Sequence, residues 1–223
     1  MKMSFFYSVP AFVLALCFGA EMPAHAQAPA ASPAAAAGTV LSGSEGWTSH
    51  SAGWPKTPGT TSISGSTYTL TGQGYFSGPS DSGQFCYRLI HGDGELSAEV
   101  VSVTGAAGPS ASGGVMIRAA TGPNAQMAYV DVTMEYGKYF VSRATQNTAA
   151  TSASFPDKTI PYWVKVARQG SSITGYASAD GVTWKQIGDP VTMDLPEAID
   201  IGLAATSNGA DVVTATFTNV TLK

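Results

Sequence analysis

The sequence predicts an all-β fold, a two-sheet antiparallel β-sandwich, from three observations. Apolar and polar residues alternate with period two in segment after segment. Gly, Pro, Asn and Asp punctuate those segments, and no apolar stripe of helical period competes with them. Composition agrees: the 223 residues include 25 Gly and 13 Pro beside 44% hydrophobic side chains, a mixture of many turns and much to bury. Only 12% of residues are charged and the net charge is -4, so no basic field exists to collect a phosphate backbone. Nucleic acid is not an expected partner.

The chain begins with Lys2 and an apolar run over residues 5–20, followed by Ala24-His25-Ala26, which offers small residues at both positions read by a signal peptidase. Residues 1–26 are expected to be a signal peptide cleaved after Ala26. The run is interrupted by Pro10 and falls short of the ~20 residues needed to span a bilayer, so no transmembrane segment is expected after cleavage. The expected location is secreted or periplasmic. Residues 27–38 (QAPAASPAAAAG) offer nothing specific to pack and read as an Ala/Pro-rich linker. The remainder, 39–223, is about 185 residues, the length of one large sandwich domain. Cleavage removes Cys17 and leaves Cys86 between Phe85 and Tyr87, where a lone thiol is expected to be buried and inert.

Within that domain, Leu96, Ala98 and Val100 share one face while Glu95, Ser97 and Glu99 share the other. Val115 and Ile117 oppose Met116 and Arg118, and Ala128, Val130 and Val132 oppose Tyr129, Asp131 and Thr133. Tyr162, Val164 and Val166 oppose Trp163 and Lys165, and Ile199, Ile201 and Leu203 oppose Asp200 and Gly202. Each reads as a half-buried strand. Val213, Ala215 and Phe217 share a face that Val220 and Leu222 join only after a change of phase, which predicts a bulge near Thr218 and Asn219. Gly92-Asp93-Gly94, Gly170-Ser171, Asp180-Gly181 and Asn208-Gly209 supply the reversals. In 178–184, Asp180 is expected to cap its turn with Trp184 packed beneath it.

Several stretches resemble one bacterial group. They are GSTYTLTGQG (65–74), SGQFCYRLIHGDGELSAEVVSV (82–103), SGGVMIRA (112–119), IPYWVKVARQGSSITGYASADGVTWKQIG (160–188) and IGLAATSN followed by TATFTNVTL. In order and spacing the chain is similar to the concanavalin A-like lectin/glucanase superfamily, in the branch of secreted jelly-roll domains found beside glycoside hydrolases. The resemblance implies two antiparallel sheets, an extracytoplasmic location, and polysaccharide or glycan as ligand class. Two departures qualify it. The family's final strand often reads Phe-Asp-Asn-Val, whose Asp helps hold a structural calcium; here Thr218 takes that place, so no cofactor is expected. Catalytic members carry a Glu-x-Asp-x-Glu strand, whereas Tyr129-Val130-Asp131-Val132-Thr133 holds Asp131 alone.

Glycoside hydrolysis needs two carboxylates ~5–9.5 Å apart. The one i, i+2 acid pair of the domain is Asp93-Gly94-Glu95, inside an expected hairpin turn where Asp satisfies backbone N–H groups. Glu95 with Glu99 and Asp131 with Glu135 stand about 13 Å apart on straight strands. Gly108-Pro109-Ser110-Ala111-Ser112 lacks the final glycine of a nucleophile elbow. His50 and His91 lie far from each other in sequence and neither stands at a metal-ligand spacing from Cys86, so neither suggests a metal site or triad.

Sugar binding asks for exposed aromatic platforms with a few polar groups. Trp47, Trp54, Tyr75 and Phe76 lie in Gly/Ser/Pro-rich loops, and Arg118, Tyr129, Asp131, Tyr139 and Arg143 fall on expected strands. Trp54, Tyr75, Arg118, Tyr129, Asp131, Tyr139 and Arg143 are the candidate ligand contacts, with no catalytic or metal-binding residue among them. The resulting expectation is an exported, non-catalytic sandwich that binds carbohydrate or decorates the cell envelope. A glycosidase or lyase with acids from separate strands, and a structural envelope protein, are the alternatives. Nothing in the sequence specifies an oligomer.

Overall fold

The computed structural model of the chain describes residues 39–40, 46–53 and 55–223. The segments expected to be a signal peptide (1–26) and a linker (27–38), and Trp54, lie outside the described residues. In chain order the strands are β1 (Thr39–Val40), β2 (Thr48–Ala52), β3 (Thr60–Ser64), β4 (Thr67–Gly74), β5 (Gly83–His91) and β6 (Gly94–Gly105). Next come β7 (Ser112–Arg118), β8 (Met127–Thr133), β9 (Lys138–Arg143), β10 (Thr151–Phe155) and β11 (Tyr162–Gln169). The last are β12 (Ser172–Ser178), β13 (Lys185–Gln186), β14 (Val191–Thr192), β15 (Ala198–Thr206) and β16 (Gly209–Leu222).

These strands form two eight-stranded sheets. The first runs β1-β2-β5-β15-β7-β8-β9-β10, and the second runs β13-β12-β11-β6-β16-β4-β3 with β14 also pairing to β12. All pairings are antiparallel. The architecture is the all-β two-sheet sandwich that the alternation predicts. Between the sheets lies one apolar layer containing Leu70, Leu96, Val100, Val115, Ile117, Val130, Val164, Val166, Ile201, Leu203 and Phe217. Period-two patterning is what delivers these side chains to one face of each strand.

The second sheet follows its sequence closely. On β6 and β11 the inward residues are buried while Glu95, Ser97, Glu99, Trp163, Lys165 and Ala167 stay partly exposed. The register of β16 against β6 shifts between Thr218 and Thr221, with Asn219 at φ 53°, so the expected bulge is present. Beyond it Val220 and Leu222 pack against the core again. Glu99 accepts hydrogen bonds there from the Thr218 hydroxyl (3.0 Å) and the Asn219 amide (2.9 Å). Gly170 reverses β11 into β12 at φ 59°, and its N–H donates to Asp93 Oδ1 at 2.6 Å. Asp180 Oδ1 accepts from the Val182 and Thr183 amides, capping its turn. The ring against that turn is Trp163, which a Cβ on Gly181 would meet at 2.8 Å, while Trp184 lies beside Lys165.

The first sheet departs from expectation. Strands β7 and β8 are buried along their whole length, not on one face, and β15 nearly so. A second apolar cluster, including Phe76, Phe85, Met116, Met127, Tyr129 and Ala204, sits on the outer face. Loop 75–82 produces this cover. Phe76 lies over Gly83, where a Cβ would come within 2.3 Å of the ring, and meets Tyr129 edge-on at 5.4 Å between centroids. Cys86 is fully buried in the core, and burial pushes its thiol pKa up to about 12.

Candidate functional site

The covered outer face of the first sheet carries most of the residues that the sequence singles out. Alternation on β8 turns Met127, Tyr129, Asp131 and Thr133 toward this face. Register then sets Tyr139 of β9 beside Asp131, and Arg118 of β7 and Arg143 of β9 on either side of Met127. The face divides into two regions of different chemistry.

At one end Arg118 and Arg143 converge on Asp81, and all three side chains are fully shielded from solvent. Arg118 Nη1 donates to Asp81 Oδ2 at 2.5 Å and Nη2 to the Gly122 carbonyl at 2.6 Å. Arg143 spans Asp81 with both terminal nitrogens, and also donates to the carbonyls of Gly78, Ala125 and Thr148. Burial lowers the Arg118 pKa, and the charge of Asp81 opposes that effect. A buried ion cluster of this kind survives because nearly every donor is satisfied. Its work is to pin loop 75–82 and the loops after β7 and β9 onto the sheet. Arg118 and Arg143 are therefore committed inside the fold and present no donor to a ligand.

At the other end a cavity of about 220 Å³ opens beside Asp131. Tyr129 and Asp131 line it together with Phe76, Tyr136 and Tyr139, and Ser77, Ser152, Thr206 and Asn208 add polar groups. This volume lies below the ~300 Å³ at which drug-sized pockets begin, and suits a single small ring. Tyr136 is 50% exposed, whereas Tyr129 and Asp131 are buried, so the cavity has an aromatic entrance and a carboxyl deep within it. Of the candidates, Tyr129, Asp131 and Tyr139 are brought together here. Tyr75 is exposed in the covering loop but does not line the cavity.

Asp131 is 4% exposed, and its Oδ1 has no hydrogen-bond partner. Burial raises its pKa to about 7, against the opposing effect of hydrogen bonds from the Ser112 side chain and the Tyr139 backbone. Tyr129 donates its hydroxyl to the Ala204 carbonyl at 3.3 Å, and burial with the nearby Asp131 raises its pKa as well. Asp131 is the single carboxylate lining the cavity among the described residues. Of the other acids named above, Asp93 accepts the Gly170 N–H of the β11–β12 reversal, Glu95 lies with Lys165 and Lys223 at 3.6 and 3.3 Å, Glu99 is held at the bulge, and Glu135 is exposed and does not line the cavity. Sequence reasoning missed Asp81, which stands in a Ser/Gly/Pro-rich loop without any pattern around it. It also missed Tyr136, whose one signal is a large ring beside the turn residue Gly137.

Solved structures share this architecture. A protein of unknown function from Saccharomyces cerevisiae aligns over 80% of this chain and 96% of its own length, with TM-score 0.61 and 16% identity. A carbohydrate-binding module, CBM66 from Bacillus subtilis, covers 78% of this chain and 96% of its own at TM-score 0.52 and 17% identity. Basic winged bean lectin with Tn-antigen covers 81% and 94% at TM-score 0.50 and 10% identity. The fold is thus the concanavalin A-like sandwich that the sequence stretches resemble. No protein-family model and no curated protein sequence matches the chain.

Proposed function

We propose that this protein is an exported, non-catalytic β-sandwich that binds carbohydrate in the Asp131 cavity. The observation that carries the reading is the Asp131 carboxyl, buried in an aromatic-lined cavity with one oxygen unshared. A buried acceptor without a partner costs free energy, and a ligand hydroxyl reaching Oδ1 offsets that cost. Apolar ring faces of a sugar suit the Phe76 and tyrosine walls, leaving hydroxyls for Ser77, Ser152 and Asn208. Two proteins of the same fold, a carbohydrate-binding module and a lectin seen with Tn-antigen, support the ligand class. The lone carboxylate favours binding over hydrolysis, which draws on a pair.

A glycan array probed with the purified protein tests this reading. Binding that Tyr139→Ala weakens is the expected result. Absence of any glycan binding at millimolar ligand overturns it, and release of shortened glycan from a bound substrate replaces it with the hydrolase alternative.

A further inference from the structure

We propose that the Asp131 cavity selects sugars bearing a free, protonated amine over neutral or N-acylated sugars. This rests on the reading above that the cavity takes a sugar. The first ground is charge accounting on the outer face. Arg118 and Arg143 are both consumed by Asp81, and they neighbour Met127, about 13 Å along β8 from Asp131. Among the described residues, Asp131 is affected by burial and by hydrogen bonds from Ser112 and the Tyr139 backbone, and by no charged side chain. The groups facing it are neutral: Ser112 from β7, Tyr139 from β9, Tyr129 and Thr133 from its own strand, and Tyr136 from the following turn. Among the described residues, no cation thus stands beside this buried carboxyl.

The second ground is the wall. Phe76, Tyr129, Tyr136 and Tyr139 surround the cavity, and aromatic faces attract cations through the ring quadrupole. A hydroxyl gives Oδ1 one neutral hydrogen bond. An ammonium gives it a charge-assisted bond and leaves two further donors for Ser77, Ser152 or Asn208. An N-acetyl group supplies a single neutral N–H and adds bulk in a cavity of about 220 Å³.

Isothermal titration calorimetry on the whole protein separates the cases, with glucosamine, glucose and N-acetylglucosamine, and the galactose series beside them. At pH 7 the free-amine sugar of one series is expected to bind at least ~10-fold more tightly than both its counterparts. At pH 5 that advantage shrinks, because Asp131 takes up a proton and loses its charge while the amine keeps its own. Asp131→Asn is expected to abolish the preference, read as the ratio of free-amine to neutral-sugar affinity within each series. An NMR titration of the wild-type Asp131 carboxyl, which needs no variant, should move down in pH with the amino sugar and not with glucose. Equal affinities across each series, or a preference that survives in the Asn variant, overturn amine selectivity while the sugar reading stands. If no sugar of either series binds at millimolar concentration, both readings fall together.

Discussion

Arg143 grips Asp81 with both terminal guanidinium nitrogens across 62 positions of sequence, Nη1 reaching Oδ2 at 2.8 Å and Nη2 reaching Oδ1. Arg118 takes Oδ2 from the other side, so one carboxylate neutralises part of the charge of two buried cations. The arrangement makes Asp81 the residue on which the outer face depends.

Asp81→Ala should cost about 3–5 kcal/mol, because it leaves two guanidinium groups buried without an anion. For a domain of this size that corresponds to a fall in Tm of ~6–20 °C. Calorimetric melts of wild type and variant measure it. A loss below about 1 kcal/mol would mean that the cluster is dispensable.

Arg118→Ala and Tyr136→Ala should separate stability from binding. Arg118 is fully buried and touches Asp81 and two backbone carbonyls, so its loss lowers Tm and reaches the ligand only through misplacement of the covering loop. Tyr136 is half exposed at the cavity entrance. Its truncation should weaken glycan affinity by ~10-fold with Tm nearly unchanged, the loss of one aromatic contact. Binding and melting data on the two variants give the comparison.

Stability should fall between about pH 4 and pH 7 through Asp131. Its folded-state pKa of about 7 exceeds the ordinary aspartate value of 3.8, so between the two the native state holds a proton that the unfolded chain has released. Stability contributed by the protonated form is complete below pH 4, declines as pH rises, and is gone above pH 7. Asp200, raised to about 6 by burial, acts in the same direction, which is why the variant is needed. Asp131→Asn should gain a few kcal/mol over wild type at pH 8 and little at pH 4. Denaturant melts at both pH values check the sign.

Cys86 should resist a thiol reagent at pH 8 in the native protein and react at once in denaturant. Burial raises its pKa to about 12, so almost no thiolate exists in the folded state. Rapid native labelling would place the thiol at a surface instead.

Period two was sufficient for the second sheet, where β6 and β11 bury one face and leave the other to water. The phase change at Thr218 and Asn219 was legible for the same reason: a bulge shifts side-chain parity, and parity is visible in sequence. Alternation also set Tyr129, Asp131 and Thr133 on one face of β8. It could not say that this face would be covered, because the cover is a loop of Ser, Gly and Pro whose anchors are Phe76 and Asp81. Nor could it say that Arg118 and Arg143 would meet, since the meeting depends on both flanking β8 at Met127. Such cross-strand neighbours are set by register, which a single strand's pattern does not encode. Tyr139 joined Asp131 by the same register, so the same blindness that hid the ion cluster hid the cavity.

The clamp of Arg118, Asp81 and Arg143 has a consequence for recognition at the far end of the same loop. Phe76 and Ser77 form one wall of the cavity, and they follow directly from β4 into the segment that Asp81 fastens. Folding therefore sets the shape of that wall in advance of any ligand, and an arriving molecule has no loop to order. Little entropy is lost on association, and discrimination is by rigid fit to a preorganised mould.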